Sequence, residues 1–302
     1  MTRVATVPLQ QLLAGGIQSA QLRLTTAQKQ LATGKRAPDF ASLGTDGVRN
    51  ISAHSLLARQ KAYGAVSTRV GTTLLLYDNN IGTIDTAAST LRQALLTVVG
   101  TGQSTGLTEA AKTAFDQFRA ALNASVDGQP LFGGSQTEAS PFTAQRLSDV
   151  AGVAPASLFA NDDVRAGSRI AEGLDVQYGI TASELGTDLV AAFKTLAEAG
   201  SFGPTPTDAQ RTALNTAIAQ IDTGLQTVRA LGADNGRRQA QVEIAVTRAS
   251  DRGDLLAEII GTNEDADLGQ VSIDLSLNQT VLQASYSVFA RLSGLNLGQY
   301  LR

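Results

Sequence analysis

The 302-residue chain has no cysteine and no tryptophan, a single histidine at position 54 and a single methionine at position 1. Thiol nucleophiles, disulfides and cysteine-built metal sites are excluded outright, and the redox compartment is left open. A lone His54 lacks the convergent partners of a metal site or a catalytic triad, so it reads as a structural or surface residue. With 24 Lys and Arg against 27 Asp and Glu, the net charge is −3. The cations are scattered instead of forming a stripe that holds phosphates, which argues against nucleic acid as a partner. No apolar run approaches the roughly 18 residues of a membrane span. The opening Met-Thr-Arg-Val-Ala-Thr-Val-Pro has no basic region followed by an uninterrupted apolar run, so no cleaved secretory signal is expected.

Charge is scarcest at the two ends. Between Val4 and Gln28 only Arg23 is charged, and between Gly269 and Leu301 only Asp274 and Arg291. A helix facing water carries Lys and Glu on its outer side, whereas these stretches use Gln, Ser, Thr and Asn. Amides and hydroxyls find partners on burial where a lone charge does not, so both ends suit packing inside an assembly. Leu9, Leu13, Ile17, Ala20, Leu24, Ala27 and Leu31 recur at helical spacings of three and four. Leu275, Val281, Leu282, Val288, Phe289, Leu292 and Leu295 form the corresponding apolar set near the other end, with Ala284 and Ser285 admitting a close neighbour. One buried stripe does not offset the backbone entropy of ordering such a helix. The ends are therefore expected to order only against partner helices, each other included, through Leu9, Leu13, Ile17, Leu24, Leu31, Leu275, Val281, Leu282, Val288, Phe289, Leu292 and Leu295.

Between the ends the pattern runs outward and returns. A breaker at Thr33 to Asp39 precedes a long four-and-three repeat of Val66, Val70, Leu74, Tyr77, Ile81, Ile84, Ala88, Leu91, Leu95 and Val98, which stops at the Gly100 to Gly106 stretch. A shorter helix is predicted from Thr108 to Val126. From Leu131 to Pro206 turn residues break the chain into short segments, and Leu174, Val176, Tyr178 and Ile180 alternate as in a half-buried strand. Helical spacing returns with Leu214, Ile218, Ile221, Leu225 and Val228, and again with Val242, Val246, Ala249, Leu256 and Ile260. The fold class predicted is mainly α: a long antiparallel helical bundle or coiled-coil rod formed by both chain ends, with a small β-containing central domain at its tip. The expected domains are 1–36 with 265–302 as a terminal coiled-coil layer, 37–130 with 207–264 as a helical rod, and 131–206 as a variable outer domain.

Three segments carry a family resemblance. Gln28-Lys-Gln-Leu-Ala-Thr-Gly-Lys-Arg36, Leu131-Phe-Gly-Gly-Ser-Gln-Thr137 with Pro141-Phe142, and Leu282-Gln-Ala-Ser-Tyr286 through Leu292-Ser-Gly-Leu-Asn-Leu297 to Tyr300-Leu301 resemble the bacterial flagellin superfamily. The Leu131 to Thr137 run and the Asn296 to Leu301 ending are most similar to its branch that joins hook to filament. The chain departs from the family where Pro38, Asp39 and Phe40 precede Ala41 in place of a paired-Asp run, and where Pro130 replaces an aromatic. The resemblance implies a structural, non-enzymatic flagellar component without cofactor or metal, exported by the type III route to lie outside the cell on the flagellum. It implies as partners other axial proteins (hook-associated proteins and flagellin), further copies of itself in a ring, and a cytoplasmic export chaperone on the C-terminal helix. A filament flagellin subunit is the alternative, and a ligand-binding module on residues 131–206 a further one.

The remaining chemistry-bearing residues have plain readings. Gly100 to Gly106 lacks the lysine of a phosphate loop and follows a helix, so it reads as a helix-ending loop. Glu264, Asp265 and Asp267 read as charges favoured at a helix start, and Asp162 with Asp163 as a solvated turn.

Overall fold

The structure, a computed structural model, describes residues 6–298, with side chains described for 11–291. In chain order it contains α1 (Thr6–Thr33), a 3₁₀ turn at Ala41–Leu43, α2 (Thr45–Thr101), α3 (Leu107–Leu122), and the two-residue strands β1 (Ser125–Val126) and β2 (Gln129–Pro130). Two further 3₁₀ turns follow at Leu147–Val150 and Pro155–Leu158, then β3 (Ala166–Ala171), β4 (Leu174–Tyr178), α4 (Ala182–Glu198), α5 (Asp208–Glu264) and α6 (Leu268–Gly298). The chain is mainly α, and its contacts gather into two units, residues 60–250 and residues 1–59 with 251–302.

In the 60–250 unit, α2 and α5 run antiparallel. Small residues set their approach: Gly64 faces Ala249, Gly71 faces Val242, and Gly232 faces Ile81. The four-and-three stripe from Val70 to Val98 is buried, with Leu74, Ile84 and Leu95 wholly enclosed. Polar groups fix the register as well. The Leu74 carbonyl accepts from Asn235 Nδ2 at 2.9 Å and Gln239 Nε2 at 3.1 Å, Arg229 Nε meets Asp85 at 2.7 Å, and Arg92 pairs with Asp222. A wrong register would bury Asn235 without a partner, which is costly. The helix α2 ends at Thr101, where Gly102 turns left-handed with φ 69° and its N–H returns to Val98 O at 2.8 Å.

An aromatic cluster extends the same core alongside α2 and α5. Phe115 and Phe118 of α3 meet Phe142 and Phe193, with centroids 5.3–5.9 Å apart. The expected extension of α3 to Val126 is corrected: the helix ends at Leu122, and Asp127 and Gly128, with φ 52° and 81°, turn the β1–β2 hairpin. Asn123 accounts for the early stop, since its amide trades two 2.9 Å bonds with the backbone of Phe142. The expected strand is present as β4, paired antiparallel with β3, and buries Val176 and Ile170. The helix α4 was not anticipated in the short-segment region. Thr181 caps it, accepting from Glu184 N while Glu184 Oε2 accepts from Thr181 N at 3.2 Å.

The Leu131 to Thr137 motif has a structural explanation in Asp162. This carboxylate accepts from Ser135 N at 2.8 Å, Val164 N at 3.1 Å, Gln136 Nε2 at 3.3 Å and the Ser135 hydroxyl. The bonds from the Ser135 side chain and backbone, then from Val164, hold its pKa down at about 2. Gly134 has φ 66°, and a Cβ there would stand 2.1 Å from Asp162 Oδ1, so only glycine fits. Asp162 is thus an anchor for the motif and not part of a merely solvated turn. Tyr77 ties the same segment to α2 through a 2.7 Å bond to Leu131 O.

In the other unit α1 packs against α6. The two run antiparallel, since Lys35 bridges Asp265 while Gln21, nearer the N-terminus, bonds Tyr286 Oη at 2.6 Å.

Candidate assembly interface

The α1–α6 seam is built from the apolar stripe of each helix. On α1, Ala20 and Ala27 are buried and Leu13, Ile17 and Leu24 half-buried. On α6 the inward positions are Val271, Leu275, Asn278, Leu282 and Ser285, a four-three-four-three series that fits helix pairing. Two small alanines on α1 and Ser285 on α6 leave room for close approach.

A second apolar series on α6 stays uncovered. Ile273 is 62% exposed and Leu277 60%, and Val281 and Val288 are exposed along the same side. At 100° per residue these four fall within an arc centred about 120° from the α1 seam. α1 also leaves Leu12 and Leu22 in the open. An α-helix apolar on two sides suits two neighbours, and among the described residues α1 covers one of these sides.

The structure distributes the sequence-predicted residues over these surfaces. Leu13, Ile17 and Leu24 stand half-buried on α1, and Leu275 and Leu282 half-buried on α6. Val281, Val288 and Phe289 are exposed. Leu31 is exposed as well, because at that level Gln30 turns in and donates to Arg36 O at 2.8 Å. Leu9, Leu292 and Leu295 lie outside the residues whose side chains are described. Sequence reasoning passed over Ile273 and Leu277; their four-residue spacing to Val281 was the available signal.

A polar cluster closes the junction of α5 and α6. Arg36 N donates to Glu264 O at 2.7 Å and Ala266 N to Gly34 O at 2.9 Å, so the chain leaving α1 is stitched to the chain entering α6. The Glu264 side chain, 12% exposed, meets His54 Nε2 at 2.6 Å, Asn50 Nδ2 at 3.1 Å and Lys35 Nζ at 3.3 Å. Asn50 is fully buried and accepts from Asn263 Nδ2 at 3.0 Å. Burial pushes the Glu264 carboxyl up, yet the bonds from His54 and Lys35 outweigh it and hold the pKa below the ordinary value. The acidic cluster expected at the start of α6 is corrected accordingly. Only Asp267 caps that helix, accepting from Gly269 N at 2.9 Å and Gln270 N at 3.1 Å. Glu264 still belongs to α5, and Asp265 takes Lys35 Nζ at 2.7 Å.

Concave sites offer little chemistry by comparison. A cleft of about 500 Å³ in the 60–250 unit has Ala111, Leu147, Leu196 and Phe202 as its apolar lining. Its charged residues, Lys112, Asp116 and Arg146, do not converge on a buried polar centre. Among the described residues no group of three or more acidic or histidine side chains is placed to hold a metal ion. No described helix is long and apolar enough to cross a membrane.

These features define a class: a helical protein whose first and last helices pair and leave apolar surface for further helices. Residues 218–301, most of α5 and all of described α6, match the family model of the bacterial flagellin C-terminal helical region. The chain carries that region within the fold of flagellar hook-associated proteins. A protein of Vibrio parahaemolyticus described as flagellar hook-associated superposes with a TM-score of 0.61 at 16% identity, covering 72% of this chain and 97% of that one. FlgL of Bacillus cereus gives 0.56 at 13% identity over 70% and 98%. The flagellar hook associated protein-3 of Legionella pneumophila gives 0.57 at 11% identity over 70% and 97%. No curated protein matches the chain in sequence.

Proposed function

We propose that this chain is a structural component of the bacterial flagellum that joins hook to filament, assembling through α1 and α6 after type III export. The observation that carries the reading is the two-sided apolar character of α6. One side is taken by α1, and the other, from Ile273 to Val288, is free for a neighbouring subunit. The flagellin C-terminal match over the same helix and the hook-associated fold support it. On this reading residues 1–36 and 265–302 form the inner layer, 37–130 and 207–264 the next, and 131–206 an outward domain. The partners are hook-associated proteins, flagellin, further copies of the chain in a ring, and an export chaperone masking α6 inside the cell. The place of action is the flagellum outside the cell, and the role is mechanical, not enzymatic.

The flagellin C-terminal match also admits a filament subunit, which the hook-associated fold favours less. Electron microscopy of the purified chain under conditions that polymerise flagellins separates the two. A junction adaptor gives short rings or oligomers that do not extend. Long filaments from this chain alone would replace the junction reading with the filament one.

A further inference from the structure

The chain breaks its terminal helices away from its long ones in two places, between Gly34 and Gly44 on the way out and between Asp265 and Asp267 on the return. Both breaks lie in the same unit and are bonded to each other. Gly34 and Gly44 have φ 68° and 61°, and backbone pairing across the breaks is confined to the Lys35–Asp265 bridge. Such a junction, with few backbone bonds on either strand, is a hinge unless side chains hold it. Beside Gln30 on the Arg36 carbonyl and Lys35 on Asp265, three side chains hold it by converging on one carboxylate, Glu264, and one of these three is the only histidine in the chain.

We propose that His54 and Glu264 form a proton-sensitive latch on this hinge, tight when His54 is protonated and slackened when it is neutral. His54 stands on α2, in edge-type contact with the Phe40 ring at 5.7 Å between centroids, and meets the Glu264 carboxylate at 2.6 Å. Protonated, the pair is an imidazolium–carboxylate bond, roughly twice as strong as its neutral counterpart. Histidine changes charge between about pH 5 and 8, the range in which no other side chain type present here normally titrates. The surrounding charges do not substitute for it. Lys35 is shared between Glu264 and Asp265, Arg36 and Arg49 are drawn to Asp46 at 3.5 and 3.8 Å, Asp39 is occupied by Ser42, and Asp267 caps α6. The sign follows from both partners. Glu264, with its pKa depressed, supplies its share above the ordinary carboxylate range and loses it as pH falls through its folded value. An imidazolium becomes neutral as pH rises through the ordinary histidine range. The latch is therefore firmest in mildly acidic solution and looser at mildly alkaline pH.

Hydrogen exchange of the full-length chain at pH 5.5 and pH 8, corrected for the intrinsic pH dependence of exchange, tests this. The two amides that staple the hinge, Arg36 and Ala266, should lose protection about fivefold at the higher pH. The amides of the β3–β4 hairpin, in the other unit, serve as the folding control and should not change. His54→Gln, which keeps a donor but cannot take a charge, should flatten the ratio to about one while the hairpin control stays protected. Equal protection at both pH values in the native chain, or an undiminished pH effect in His54→Gln, overturns the latch.

Discussion

A Cβ at Gly224 would lie 2.5 Å from Leu189 Cδ2 and 3.2 Å from the Leu189 backbone nitrogen, so α5 touches α4 there without room for a side chain. Gly224→Val should destabilise the chain by about 1–3 kcal/mol through overpacking, read from denaturant unfolding. An unchanged midpoint would mean that the two helices do not meet this closely. Asp162 makes a second residue-scale prediction. Its carboxyl is held at about 2, below the ordinary 3.8, by Ser135 first and Val164 after it. A depressed carboxyl supplies stability that is fully present above its ordinary value and lost as pH falls through the folded one. The Ser135 amide resonance should therefore be steady above about pH 4 and move between about pH 4 and 2, and Asp162→Ala should abolish that movement. A Ser135 signal that stays still down to pH 2 would place Asp162 outside the bond. Neither contact was legible beforehand, because Gly224 with Leu189 and Ser135 with Asp162 are joined by tertiary packing and by no local pattern.

The helices α1 and α6 show what periodicity reveals and where it stops. The stripe on α1 was readable from Leu13 to Ala27, since α1 has one apolar side and a three-four spacing selects it. On α6 the same reasoning ran Val281 together with Leu282 and Val288 with Phe289, because two apolar faces about 120° apart blur into one broad set. The capping box at Thr181 to Glu184 was fully visible as Thr-Ala-Ser-Glu, yet the glycines and prolines around it drew attention from α4. The cluster on Glu264 was out of reach, since His54 precedes its partner by 210 positions. Two substitutions separate the faces of α6. Leu282→Glu places a carboxylate in the seam with α1, costs several kcal/mol, and should lower the helical signal of the isolated chain in circular dichroism. Leu277→Glu falls on the uncovered side, should change monomer stability by no more than about 0.5 kcal/mol, and should still prevent assembly into oligomers. Intact assembly of Leu277→Glu would remove the outer face from the interface.

For the molecule as a whole, the scarcity of charge at both ends, the pairing of α1 with α6 and the free face beyond that pair have one explanation. The terminal helices suit being surrounded by other helices, since their pairing leaves Leu12, Leu22, Ile273 and Leu277 in the open. On the proposed reading, a ring of copies with hook proteins on one side and filament proteins on the other would supply the rest. The most direct measurement is electron microscopy of cells of the source bacterium from which this chain has been deleted, with the growth medium assayed for flagellin. The account predicts bare hooks and flagellin lost to the medium, with filaments restored by the native chain and not by Leu277→Glu. Full-length filaments attached to hooks in the deleted cells would contradict it.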